Sequence, residues 1–367
     1  MELRLVRLES LQLARLPRMT TPFQLDTRKP WTLINQCPSY RATPIREIAT
    51  AAGQRLLIKD ETVRFSLDAF KALGGIYAVA AFLLEQWQLD NENHTPDANQ
   101  LFDEDFQQWA SQYTFVCASA GNHGMAVAKG AQLFNSRSRI YLAETVAETF
   151  AERLRALGAE VVRAGKIYED SMQAAQAYCE HGRDNEILLA DSSWPGYTRM
   201  PLLVMEGYTV MAEELRRSFA AADDWPTHVF LQAGVGGLAA AVAYHIRQHW
   251  AVQPQITVVE PEAAPCLFES HRQGTLTSVM GPISSMGRLD CKEASMLAFE
   301  ALQHYADNFV CITEAEASEA VAMLAEKDIA TTPSGAAGVA ALLAAKRLAL
   351  DVEATATSLA IVTEGEL

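Results

Sequence analysis

Eight short apolar runs, separated by amphipathic stretches, set the tightest limit on how this chain can fold. They are RLLIKDE (55–61), YTFVCAS (113–119), RIYLAET (139–145), AEVVRAG (159–165), EILLADSS (186–193), HVFLQAG (228–234), QITVVEP (255–261) and SLAIVTEG (358–365). Runs of this length, rich in Val, Ile and Leu, read as strands buried on both faces. Between them, VAETFAERLRALG and GLAAAVAYHIRQHW read as helices. Strand and helix in alternation predict an α/β fold with mostly parallel twisted sheets, whose ligands bind at the carboxyl ends of the strands.

At 367 residues, 49% of them hydrophobic, the chain can build two domains with a core in each. The 45 acidic against 30 basic residues leave a net charge of −15, which argues against a nucleic-acid partner and against an anionic membrane surface. No apolar run nears the roughly 20 residues that cross a bilayer. The start, MELRLVRLESLQLARLPRM, mixes Leu with Arg and Glu and lacks a signal-peptide core, so an irregular leader or edge strand and a cytoplasmic location are expected. The segment LDNENHTPDANQLFDED (89–105) is polar and aperiodic and reads as a linker.

Cys37, Cys117, Cys179, Cys266, Cys291 and Cys311 form no Cys-x-x-Cys pair and read as reduced, buried thiols. His245 and His249 stand one helical turn apart in HIRQH, but neither a catalytic Glu nor a third ligand accompanies them. A solvent-facing helix is expected there, and no metal.

RFSLDAFKALGGIYAV (64–79) sets one lysine, Lys71, among apolar neighbours at what reads as the buried start of a helix. A lysine in such a place needs a partner or a chemical task. Three glycine-containing turns follow strands. In QAGVGGLAAAV, Gly234, Val235, Gly236 and Gly237 open a helix whose amino end suits a phosphate; a purely structural turn is the other reading. With Ala239, and with Glu260 ending a strand about 20 residues on, the same loop also meets the dinucleotide fingerprint of a nicotinamide oxidoreductase.

The second turn, CASAGNHGMAVAKGA, offers Ser119, Ala120, Gly121, Asn122 and His123 either as backbone donors for a carboxylate, with Asn122 able to reach a ring substituent, or as a simple helix cap. The third is TTPSGAAGVAALLAA. A buried lysine, a phosphate cradle and a carboxylate-binding turn on one sheet are the parts of a pyridoxal phosphate enzyme acting on an amino acid.

The segments IKDETVRFSLDAFKALGGIYA, DSSWPGYTRMP, MEGYTVMAEE, QAGVGG and VTEG resemble the fold-type II pyridoxal phosphate enzymes, and among them the diaminopropionate ammonia-lyase family, whereas SAGNH is shared with serine and threonine dehydratases. The resemblance implies two three-layer domains: a large one from 1–86 plus 196–367 that binds the cofactor, and a small one from 87–195 that carries the Ser119–His123 turn. It implies Lys71 as the Schiff-base lysine, Phe70 beside the ring, Asn122 on the ring hydroxyl, Gly234 to Gly237 on the phosphate and Thr363 at the pyridine nitrogen. Ser119, Ala120, Gly121 and His123 would bind substrate. Asp191, otherwise readable as a helix cap or loop residue, would do acid/base work or bind a distal amine, with Lys71 as the other candidate base.

The implied reaction is α,β-elimination of 2,3-diaminopropionate to pyruvate and ammonia by a homodimer. Ala120 stands where the family has an aspartate that serves the D-isomer, so the L-isomer is expected to be favoured. A serine or threonine dehydratase, the nicotinamide oxidoreductase and a non-catalytic binding protein are the alternatives.

Overall fold

The computed structural model describes residues 6–7, 23–50, 53–91 and 98–366. In chain order its strands are β1 Val6–Arg7, β2 Ile45–Ala49, β3 Arg55–Asp60, β4 Thr114–Ala118, β5 Arg137–Leu142, β6 Glu160–Arg163, β7 Glu186–Leu188, β8 His228–Gln232, β9 Gln255–Pro261, β10 Asn308–Ile312 and β11 Thr357–Val362. Its helices are α1 Arg28–Gln36, α2 Lys71–Asp90, α3 Glu104–Ala110, α4 Asn122–Leu133, α5 Glu148–Ala156, α6 Tyr168–Glu180, α7 Arg199–Ala222, α8 Gly237–His249, α9 Cys266–Gln273, α10 Met296–Tyr305, α11 Glu314–Ala325 and α12 Pro333–Leu343.

Two sheets result. Seven strands run in the order β1-β10-β9-β8-β11-β3-β2, parallel except for the edge strands β1 and β2. Four run β6-β5-β4-β7, all parallel. All eight expected strands are present. Among the described residues three more appear. β2 hides because Arg46 and Glu47 interrupt its apolar pattern, as an edge strand permits. β10 is fully buried but only five residues long, and the Thr313–Glu316 capping box behind it was its readable signal. β1 makes part of the N-terminal stretch an edge strand; the rest of that stretch lies outside the described residues.

The central strands alternate as the pleat requires, with two buried faces. In the large sheet Leu57, Val229, Leu231, Val258 and Ile361 join a core shared with α2, α7, α8 and α10, while Leu56, Ile58, Phe230, Val259 and Val362 pack under α11 and α12. In the small sheet Phe115, Cys117 and Ile140 meet α4, and Val116, Ala118 and Tyr141 meet α6. One core therefore runs from sheet to sheet through α4, α2 and α7. Adjacent glycines permit this stack. A Cβ on Gly74 would come within 2.4 Å of the Tyr208 ring on α7, and one on Gly75 within 2.5 Å of the Ala126 Cβ on α4.

The expected linker needs correction. Residues 92–97 lie outside the described residues, but Ala98–Phe102 is a 3-10 turn and Glu104–Ala110 is α3. Phe106 and Ala110, one turn apart, are buried, and Trp87 packs on both Phe106 and Trp109 with ring centroids 5.2 and 5.1 Å away. A narrow apolar stripe among acids was enough to make a helix.

Candidate active site

Lys71 begins α2, after a loop that leaves β3 at its carboxyl end. That loop is strained: Phe65, Ser66 and Asp68 have φ of 51°, 55° and 56°, a region that side chains disfavour. Surrounding bonds hold it. Arg64, almost fully buried, donates to Glu61 at 2.7 Å and to both carboxylate oxygens of Glu214 at 2.8 and 2.9 Å. Lys59 and Tyr40 also donate to Glu214, at 2.5 and 2.7 Å. Further along, Phe70 N donates to Thr363 O at 3.0 Å and Gly365 N to Asp68 O at 2.9 Å, tying the loop to the exit of β11.

Lys71 itself is less buried than expected: its side chain keeps 23% exposure, and that of Asp191 keeps 19%. Nζ donates a hydrogen bond to Asp191 Oδ2. Burial pulls the ammonium down in pKa, but the charge and hydrogen bond of Asp191, with the neighbouring Tyr208, together outweigh it and hold Lys71 above the ordinary lysine value. For Asp191 burial pushes up, and the charge and hydrogen bond of Lys71, with His123, together outweigh that, leaving the carboxyl below its usual range. Phe70 stacks at a tilt on Tyr208, centroids 4.9 Å apart. Among the described residues the buried Tyr208 hydroxyl has no hydrogen-bond partner, and burial raises its pKa against the pull of the neighbouring Lys71.

Asp191 follows β7, in a loop that anchors itself. Tyr197 Oη donates to Leu188 O and accepts from Ala190 N, and its ring stacks on Trp194 at 4.3 Å. His123 Nε2 lies 2.9 Å from Leu189 O. Ser193 and Ser295 share a 2.7 Å hydroxyl bond, while Ser295 N donates to Val235 O, so the Asp191 loop is stitched to the Gly234–Gly237 turn.

The second turn lies at the carboxyl end of β4. Gly121 is the N-cap of α4, without a side-chain cap, and its N–H donates to Ser119 Oγ at 3.2 Å. Ala120 is half-buried. Asn122 and His123 are buried; among the described residues His123 Nδ1 has no hydrogen-bond partner, and burial lowers the pKa of the ring. Asn122 Nδ2 donates to Glu364, a residue the sequence reading did not single out. The other Glu364 oxygen accepts from Thr332 at 2.5 Å. Beside it, Thr363 Oγ1 accepts from Gln232 Nε2 at 3.3 Å; Gln232 is also anchored to Ile361 O at 2.9 Å. Gln232 and Tyr208 were missed as well, because their roles depend on contacts between distant strands and helices.

In the Gly234–Gly237 turn, Gly236 caps α8 with φ of 99°, where a side chain would be strained, and no side chain caps the helix. Asp191 O comes within 3.9 Å of where a Gly237 Cβ would stand. Glu260, at the end of β9, is buried. Its carboxylate accepts from Leu267 N and Phe268 N at 2.8 and 2.6 Å, capping α9, and burial raises its pKa to about 8. The fingerprint reading fails here, since the acid it requires for a ribose is already used.

Two other expectations change. His245 is buried rather than solvent-facing, its Nε2 3.2 Å from Glu213, because α8 packs against α7; His249 is exposed. Among the described residues no three His, Cys, Asp or Glu could together hold a metal. Of the cysteines, Cys117, Cys266 and Cys311 are buried, but Cys37, Cys179 and Cys291 are only partly so. No described helix is long and apolar enough to cross a membrane. A cavity of about 230 Å³ opens at the amino edge of the small sheet, opposite Lys71's side, but its Arg139, Glu160, Tyr178 and Glu186 bond among themselves.

The chain is similar to known proteins. The family model for pyridoxal-phosphate dependent enzymes matches residues 37–364. The diaminopropionate ammonia-lyase of Escherichia coli (strain K12) is 32% identical over 292 residues, 78% of this chain and 71% of that protein. A D-serine dehydratase of Yersinia enterocolitica is 27% identical over 286 residues, 74% of this chain and 62% of that one. The crystal structure of the E. coli lyase in complex with an aminoacrylate-PLP azomethine reaction intermediate matches with a TM-score of 0.82 at 27% identity, covering 99% of this chain and 93% of that one.

Proposed function

The chain belongs to the pyridoxal-phosphate dependent enzymes, and from that premise we propose that it eliminates the β-amino group of 2,3-diaminopropionate, favouring the L-isomer. One water is consumed, and pyruvate and two equivalents of ammonia are released. The observation that carries this reading is the Lys71–Asp191 pair.

The site suits the cofactor on three counts. A lysine amine is reachable at the strand ends, the first turn of α8 is capped by no side chain, and among the described residues the buried Tyr208 hydroxyl and His123 Nδ1 have no hydrogen-bond partner. Lys71 Nζ would hold the aldehyde carbon, Gly234, Val235, Gly236 and Gly237 the phosphate, Asn122 the ring hydroxyl, Phe70 the ring face and Thr363 the pyridine nitrogen. When bound, the cofactor supplies an electron sink for charge developing at the substrate α-carbon. Gln232 donates to Thr363 Oγ1, which leaves the threonine proton free to donate toward a neutral ring nitrogen.

Asp191 distinguishes a diamino acid from serine. A partly buried carboxylate that loses one ammonium needs another, and the substrate's β-ammonium supplies it where a hydroxyl cannot. Departing as ammonia, that group needs no further proton. The α-proton is received within the same pair, at Lys71 Nζ or Asp191 Oδ2. Ser119, Ala120, Gly121 and His123 form the bed for the α-carboxylate. Ala120 can take no proton, which supports the preference for the L-isomer.

The same reading sets the cleft between a large domain, 1–86 with 196–367, and a small one, 87–195, that closes over it and excludes water. The resemblance of the motifs carries one further part, a homodimer, checked by sedimentation; a cytoplasmic location belongs to the same proposal. The central test is the visible spectrum of the cofactor-loaded protein before and after L-2,3-diaminopropionate, with pyruvate assayed alongside. A band that shifts while pyruvate appears is the expected result. A band that ignores the diamino acid but responds to serine would replace this reading with a dehydratase.

A further inference from the structure

Arg288 lies between α9 and α10, in a stretch without sequence signal, and reaches from one sheet system to the other. Its backbone N donates to Ser334 Oγ at 3.1 Å, which fixes it to the first turn of α12. The guanidinium then extends to the Ser119–His123 turn: a Cβ placed on Gly121 would stand 2.8 Å from Nη1 and 3.1 Å from Cζ. The Phe150 ring of α5 lies beside it, its centroid 5.8 Å from Cζ.

This cation has capacity to spare. Its charge partner is Glu364, but Nε is 3.8 Å from Glu364 Oε2, beyond a hydrogen bond, and the Glu364 oxygens already accept from Asn122 and Thr332. Among the described residues the guanidinium donates no hydrogen bond, and a third of the side chain is exposed. A guanidinium presents a rigid planar fork that matches a carboxylate in two places. Ala120, next to Gly121, contributes no competing anion.

We propose that Arg288 binds the α-carboxylate of the substrate together with the Ser119–His123 turn, and so selects α-amino acids over other amines. The proposal rests on the elimination reading above. It makes Arg288 a specificity-determining residue that acts on binding more than on bond breaking, because the carboxylate is present before and after elimination.

The test compares loaded wild-type protein with Arg288→Met and Arg288→Lys, using L-2,3-diaminopropionate, its carboxamide and L-serine, with ammonia release and the visible band as readouts. For Arg288→Met the expected result is a KM for the diamino acid about 10- to 100-fold higher, with kcat changed only a few-fold and the resting band unaltered. Arg288→Lys should recover part of the loss, and the carboxamide should not distinguish wild type from either variant. Unchanged KM values, or a carboxamide that loses as much as the acid, would overturn the assignment and make Arg288 a strut. If Arg288→Met fails to fold, Arg288→Lys alone decides, since it keeps charge and length but loses the fork. A wild type active on serine alone defeats the diamino reading while the same KM comparison, made on serine, still judges Arg288. A band that no amino acid moves defeats both.

Discussion

Asp191 Oδ2 accepts a hydrogen bond from Lys71 Nζ across 120 residues of sequence, one side chain at the start of α2 and the other in the loop after β7. The pair holds both groups charged. Replacing Asp191 with Asn or Ala should lower pyruvate formation from L-2,3-diaminopropionate by about 10²- to 10⁴-fold, while serine, lacking a β-ammonium, should lose less. Steady-state rates on both substrates check this, and unchanged turnover of the diamino acid would remove Asp191 from the mechanism.

The same pair sets a pH dependence of folding in cofactor-free protein. Asp191 is depressed, so its contribution is complete above the ordinary aspartate value, about 4, and is lost as pH falls toward the native one. Lys71 is raised, so its contribution is complete below the ordinary lysine value, about 10.4, and is lost only as pH climbs through the native one. Urea unfolding against pH should therefore show a shallower acid limb in Asp191→Asn than in wild type, with the two curves converging at low pH.

Arg64 holds the strained loop that delivers Lys71. Arg64→Met leaves Glu61 and Glu214 buried with only Lys59 as cation. A loss of about 3–5 kcal/mol is expected on chemical unfolding, together with weaker uptake of pyridoxal phosphate. A variant of wild-type stability would mean that the loop holds its left-handed residues without this network.

Gly74 is a steric requirement. Gly74→Ala drives a Cβ to 2.4 Å from the Tyr208 ring and 2.8 Å from Val204 O, and should cost about 1–3 kcal/mol. Gly287→Ala, where a Cβ would meet nothing within 4 Å, should stay within about 0.5 kcal/mol of wild type. Equal urea midpoints for the two would show that α2 and α7 can part without cost.

Ala120 accounts for the expected stereochemical preference. Ala120→Asp should raise the ratio of D- to L-isomer turnover about tenfold or more, the effect of adding a base where none exists. Comparable rates on both isomers in wild type would show that Ala120 does not control the choice.

The sequence by itself determined the alternation of strand and helix, because buried parallel strands must be apolar runs and their crossovers amphipathic. It also marked Lys71, Asn122 and the Gly234–Gly237 turn, since a lysine among apolar neighbours and glycines after a strand are local anomalies that chemistry explains. Asp191 was legible only through its motif: an aspartate in a loop has no local signature. Arg46 and Glu47 concealed β2, and Phe106 with Ala110 made a helix from an apparent linker, because an edge or a narrow stripe needs few apolar residues. Tertiary structure alone decided that Asp191 meets Lys71, that Glu260 caps a helix, that His245 is buried, that Gln232 reaches Thr363, and that Glu364 and Arg288 converge on the Asn122 turn. Those are contacts between elements far apart in sequence. Their energies come from burial and pairing in three dimensions, and no periodicity along the chain encodes which distant side chain will fill the partner's place.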